Sequence, residues 1–159
     1  MIFVTLGSQK FQFNRLLKKI DELVSSKVID DYVFAQIGYS DYLPKNYSYK
    51  KFLDRDEFNK MENNSDLVIT HGGTGAIIGA VKKGKKVIAV PRLVKYGEHV
   101  DDHQIQLLDE FKSMNIIMTC TDLDNLADVY RTAMTFHFNA YRSNNSTIIQ
   151  DIETYLNKL

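Results

Sequence analysis

What most constrains this chain is a set of short runs that are apolar throughout, each halted by glycine or proline. Ile2–Leu6 stops at Gly7-Ser8, after which Phe13, Leu16, Leu17, Ile20, Leu23 and Val24 recur at helical spacing. Tyr32–Ile37 stops at Gly38, and Tyr47–Leu53 reads as a weaker strand before a short helix over Arg55–Asn63. Leu67–Thr70 runs into a glycine turn, from which a helix extends to about Lys83 and is capped by Gly84. Val87–Val90 ends at Pro91, a loop runs from Arg92 to about Val100, and a helix follows with Ile105, Leu107, Leu108 and Phe111. Ile116–Cys120 is the sixth strand, with Asp122 or Asp124 positioned to cap a helix through Met134. Strands without a polar side must be covered on both faces. Alternating βα units of this kind predict an α/β, doubly wound, Rossmann-like parallel sheet of about six strands. The 159 residues suffice for a single core, so the expectation is one domain over 1–159 with no internal repeat or linker.

Ligands of such sheets lie beyond the carboxyl ends of the strands. Gly7-Ser8, Gln36–Tyr39, His71–Gly75 and Pro91–Gln104 all gather at that edge. Of these, His71-Gly72-Gly73-Thr74-Gly75 is the most informative, because a helix begins directly after it. A helix N-terminus presents free N–H groups to an anion, glycine lets backbone approach closely, and Thr74 and His71 add side-chain donors. Taken alone, the turn also fits a plain strand-to-helix connection.

Other chemistries find less support. The 20 basic and 20 acidic side chains balance, which argues against wholesale binding of nucleic acid. One cysteine, Cys120, excludes an intrachain disulfide and a cysteine-rich metal site, and suits a reducing, cytoplasmic setting. The glycine turn lacks the lysine-serine or lysine-threonine pair of a Walker loop and the spacing of a dinucleotide fingerprint. His99 and His103 are four apart amid Glu98, Asp101 and Asp102, but the helix starts only near Asp102, so an acidic capping loop is preferred to a metal site. The expectation is no metal and no cofactor. No serine or cysteine sits in a nucleophile-elbow context. The basic cluster Lys82, Lys83, Lys85 and Lys86 falls on the edge opposite the site and reads as a solvated turn, with attraction to anionic lipid as the lesser alternative. The N-terminal run is too short for a signal peptide, and no apolar run approaches the roughly 20 residues of a membrane helix.

Taken together, Phe3-Val4-Thr5-Leu6-Gly7-Ser8, Ile69-Thr70-His71-Gly72-Gly73-Thr74-Gly75, Val87-Ile88-Ala89-Val90-Pro91 and Gly97-Glu98-His99-Val100-Asp101-Asp102-His103-Gln104 carry a resemblance. The chain resembles the C-terminal, donor-binding domain of family 28 glycosyltransferases. More closely, it looks like the small soluble subunits, PssE-type and EpsF-type, of two-component transferases in exopolysaccharide and capsule pathways. The resemblance implies the C-terminal half of a GT-B fold and a UDP-sugar as donor substrate. His71, Gly72, Gly73, Thr74 and Gly75 would hold the diphosphate, with Gly7 and Ser8 closing over it. Phe52-Leu53 falls where the family places backbone contacts to uracil. Asp102, His103 and Gln104 correspond to the segment that reads the donor sugar, and Glu98 to a contact with sugar or ribose. One departure is Gly79, where relatives that bind the ribose diol often carry glutamate.

The resemblance also implies a missing half. The acceptor, and commonly the base, come from a domain this chain lacks, so a membrane-anchored partner glycosyltransferase subunit is expected to supply both. The partner would bring the lipid-linked acceptor and recruit the chain to the inner face of the membrane. No catalytic base is assigned; His99 and His103 are the candidates considered. A C-terminal helix over about 144–158 carries Ile148, Ile149, Ile152, Tyr155, Leu156 and Leu159 on one stripe. That stripe packs on the home domain or docks to the partner. The rival functions are a non-catalytic accessory subunit that stimulates its partner, and a UDP-sugar epimerase or hydrolase of related fold.

Overall fold

The computed structural model describes residues 1–99, 104–140 and Thr154. Six parallel strands form one sheet: β1 (Ile2–Thr5), β2 (Val33–Gln36), β3 (Ser48–Lys50), β4 (Leu67–Thr70), β5 (Lys86–Ala89) and β6 (Met118–Thr119). Their order is β3-β2-β1-β4-β5-β6, so the chain reverses its direction of travel between β1 and β4. The switch opens a crevice at the carboxyl ends of those two strands.

The apolar runs become the buried strands because both faces are covered. On one face Ile2, Val4, Val33, Ala35 and Ile69 pack against α1 (Asn14–Ser25) and α5 (Leu126–Thr135) through Leu16, Leu17, Ile20, Leu126 and Ala133. On the other, Val68, Val87 and Ala89 meet Ile77, Ile78 and Val81 of α3 (Thr74–Lys82) and Leu108 and Phe111 of α4 (Gln104–Ser113). The remaining helix, α2 (Arg55–Asn64), lays Phe58 edge-on to Phe3 of β1 at 5.1 Å between ring centroids.

Local signals set the boundaries. Asp54 and Glu57 form a reciprocal capping box at the start of α2. Gly84, with φ 73°, ends α3: its N–H donates to the Val81 carbonyl and the Lys85 N–H to the Ala80 carbonyl, a Schellman arrangement. The sheet edges are shorter than the apolar runs suggest. Tyr47–Leu53 yields a three-residue β3 with two exposed residues, and Ile116–Cys120 pairs only at Met118–Thr119. An edge strand pairs on one side only, so fewer of its residues are held in the ladder. Of the expected C-terminal helix only Thr154 lies among the described residues, where it is helical.

Candidate functional site

The crevice at the switch point is walled by α3. Gly73 is its N-cap and no side chain caps it; the first bond of the helix is Ile77 N–H to the Gly73 carbonyl. The amides of Thr74, Gly75 and Ala76 therefore precede the hydrogen-bonded ladder and face out at the positive end of the helix. A Cβ at Gly75 would touch nothing within 4 Å, so the approach to these amides is open.

His71 determines the shape of the turn. Its ring is 6 % exposed, with Nδ1 3.3 Å from both the Thr5 carbonyl and Thr70 Oγ1. A carbonyl only accepts, so Nδ1 carries the proton and Nε2 faces Gly7 and Gly73. Cβ atoms added at those glycines would lie 2.7 Å from His71 Cε1 and 2.4 Å from Nε2 respectively, closer than real contacts allow. The two glycines are thus required by the imidazole wedged between them. Burial, followed by the nearby Arg92 cation, pushes the His71 pKa down to about 4, so the ring is neutral at pH 7.

Arg92 lies beneath the same loops and is 1 % exposed. Its Nη2 donates to the Leu6 carbonyl at 2.7 Å and its Nη1 to the carbonyls of Phe11 at 2.8 Å and Gln12 at 3.1 Å. Glu98 is fully buried; its carboxylate takes both Arg15 Nε and Nη2 at 3.0 Å and the Leu93 N–H at 3.0 Å. Glu98 thus pairs with Arg15, whereas the donors of Arg92 go to neutral carbonyls of the loop that begins at Leu6 and leads into the rim of the crevice.

The sequence-predicted residues divide accordingly. Gly7, Ser8, His71, Gly73, Thr74 and Gly75 line one cleft of about 500 Å³, together with Thr5, Gln9, Gln36, Phe58 and Ala76. Gly72 stands behind it, using φ 85° to turn the chain against Leu108 and Gln104 of α4. Gln104 is therefore next to the turn, its Oε1 buried and unpartnered among the described residues. Phe52 lies outside the lining, 44 % exposed and edge-on to Tyr39 at 5.2 Å. Asp102 and His103 lie outside the described residues. Glu98 requires a correction: its carboxylate is spent on Arg15 and the Leu93 amide and is not presented to a ligand. Gln36 belongs to the Gln36–Tyr39 segment that the sequence already places at the ligand edge, whereas Thr5 and Phe58 are not singled out there; Thr5 and Gln36 each put a polar residue at the carboxyl end of an otherwise apolar strand.

The family model for the glycosyltransferase family 28 C-terminal domain matches residues 1–154. The chain belongs to this family. Within family 28 this is the C-terminal domain, and the six-stranded parallel sheet is the C-terminal half of a GT-B architecture. The UDP-N-acetylglucosamine transferase subunit ALG13 of Kluyveromyces lactis is 38 % identical over 55 residues, covering 35 % of this chain and 26 % of the relative. Its Homo sapiens namesake is 26 % identical over 132 residues, covering 76 % of this chain but 11 % of the human protein. This family 28 chain thus spans about a quarter or less of these relatives' length where they align. In fold, it superimposes on the glycosyltransferase of kitacinnamycin with a TM-score of 0.63 at 16 % identity, over 96 % of this chain and 37 % of that one. Among the described residues no helix is long and apolar enough to cross a membrane.

Proposed function

We propose that this chain is the donor-binding subunit of a UDP-sugar-dependent hexosyltransferase. The diphosphate of the donor seats on the Thr74, Gly75 and Ala76 amides. Each charge-assisted hydrogen bond there contributes on the order of 1.5–3 kcal/mol. As the acceptor oxygen bonds to the anomeric carbon and gives its proton to a base supplied by the partner, the bond to the diphosphate breaks and UDP leaves with the electron pair. The negative charge on UDP grows through this step, so the helix terminus stabilises the transition state more than the bound donor. Attack from the opposite face of the sugar gives inversion. A membrane-anchored partner glycosyltransferase subunit presents the lipid-linked acceptor and holds this chain at the inner face of the membrane. The word "subunit" in the relatives' names supports that division of labour, and the motif resemblance supports a place in exopolysaccharide or capsule assembly.

The observation that carries the reading is the open N-terminus of α3 at the topological switch point, bordered by Gly75 with empty space above it. Titration calorimetry with UDP tests it. The wild type binds, and Thr74→Trp, which fills the approach, abolishes binding while far-UV circular dichroism stays unchanged. Undiminished binding by the tryptophan variant would place the nucleotide elsewhere. Gly79 favours a second reading, a non-catalytic accessory role, since α3 brings no carboxylate to the groove at that position. That reading predicts no UDP binding with or without the partner, and full activity of the complex when Thr74→Trp is introduced.

A further inference from the structure

The side-chain layer at the carboxyl ends of the central strands differs from the layer beneath it. On the sheet face that meets α2 and α3, Phe34, Phe3 and Val68 stand side by side in register. Two residues further along, that face carries Gln36, Thr5 and Thr70, again in register. Thr70 is engaged by His71. Thr5 differs: it is 1 % exposed and lines the cleft, yet its Oγ1 has no hydrogen-bond partner among the described residues. An unpaired buried hydroxyl destabilises a fold, and valine, of the same shape, suits a strand better. A polar group entering the cleft would give that hydroxyl a partner.

Gln36 stands next to it in register. It is 6 % exposed and its Oε1 accepts the Leu53 N–H at 2.9 Å, which fixes the carboxamide and leaves the Nε2 protons to the cleft that Gln36 lines. Above this floor the α3 wall is bare at Gly75, where a Cβ would meet nothing within 4 Å. The floor has one neutral donor and one hydroxyl that both donates and accepts. A ligand hydroxyl satisfies both, accepting from Gln36 and donating to Thr5. A phosphate oxygen, which only accepts, is met by the α3 amides instead.

We propose that Thr5 Oγ1 and Gln36 Nε2 form a hydrogen-bonding floor that holds a ribose hydroxyl of the bound nucleotide. This rests on the reading of the cleft as a nucleotide site. The experiment is calorimetric titration of wild type, Thr5→Val and Gln36→Glu with UDP, 2′-deoxy-UDP, 3′-deoxy-UDP and pyrophosphate. Glutamate at 36 keeps an acceptor for the Leu53 N–H and loses the donor. Thr5→Val is expected to bind UDP about five- to tenfold more weakly and pyrophosphate within twofold of wild type, whereas Gln36→Glu, whose carboxylate also repels the diphosphate, should weaken both ligands and UDP more than pyrophosphate. Thr5→Val should melt at or above the wild-type temperature. Wild type should lose a similar factor with one deoxy analogue, and Thr5→Val should show no further loss with it. UDP binding unchanged in Thr5→Val, or pyrophosphate weakened as much as UDP, overturns the proposal and leaves the nucleotide site standing. Failure of wild type to bind UDP overturns the site itself and this inference with it.

Discussion

Replacing Gly73 by alanine isolates the most tightly packed contact of the site. Backbone preference is a small part of the effect: Gly73 has φ −69°, an ordinary value for alanine, and losing glycine at an N-cap costs about 0.5–1 kcal/mol. The larger effect is steric. The new methyl would lie 2.4 Å from His71 Nε2 and 2.7 Å from Cε1, about an ångström inside van der Waals contact. The ring has no room to retreat, because its far side is against the Thr5 carbonyl and Thr70 Oγ1, each 3.3 Å from Nδ1. Overpacking of a buried site costs about 1–3 kcal/mol, and a ring held on both sides belongs near the upper end. The total is therefore about 3 kcal/mol, or roughly 6–12 °C in Tm for a chain of this size. His71→Ala alone should cost about 2 kcal/mol through lost packing. In the double variant the methyl occupies space the ring has left, so the two costs should fall short of additivity by about 2 kcal/mol. The chain has no tryptophan, so urea unfolding is followed by far-UV circular dichroism. A Gly73→Ala cost below about 0.5 kcal/mol, or additivity within about 0.5 kcal/mol, would refute the reasoning.

The remaining predictions follow from the same contacts. His71 has its pKa depressed from 6.5 to about 4, so below pH 6.5 the unfolded chain takes up a proton that the folded chain refuses. Stability is therefore fully present above pH 6.5 and falls toward pH 4, by about 1.4 kcal/mol at pH 5.5, and His71→Asn should lose this part of the slope when urea titrations at about pH 7.5 and about pH 5.5 are compared. Glu98→Gln breaks the buried pair with Arg15 and should lower stability by about 3 kcal/mol while UDP affinity, read by calorimetry, stays within about twofold; a large loss of affinity at unchanged stability would return Glu98 to the binding site. Asp54→Ala removes the side-chain acceptor of the capping box and should cost about 1 kcal/mol in the same unfolding assay.

Much of this architecture is legible in the sequence because it follows from periodicity. Apolar runs such as Leu67–Thr70 are buried on both sides, and glycines at 7, 38, 72 and 84 adopt the positive φ that their turns demand. The cleft is legible at Gly7, Ser8, His71, Gly73, Thr74 and Gly75 because glycine beside a strand end has a steric meaning. Glu98 misleads for the opposite reason. Its neighbours in sequence are polar, but the partner that claims its carboxylate, Arg15, is 83 residues away, and no local pattern encodes that pairing. Arg92 is hidden likewise: a cation after a strand-ending proline gives no hint that three distant carbonyls will enclose it. Thr5 and Gln36 were within reach. Their significance appears only when strand order places them side by side, and that order, with β1 between β2 and β4, is a property of the assembled sheet.

The guanidinium of Arg92 has one further consequence. It ties Leu6, Phe11 and Gln12 together from below as the chain folds. The loop from Gly7 to Gln12 is therefore anchored at both ends before an incoming anion arrives. Capture of a nucleotide should then proceed as a single bimolecular encounter, its observed rate linear in nucleotide concentration, with no slow rearrangement of this rim to cap it.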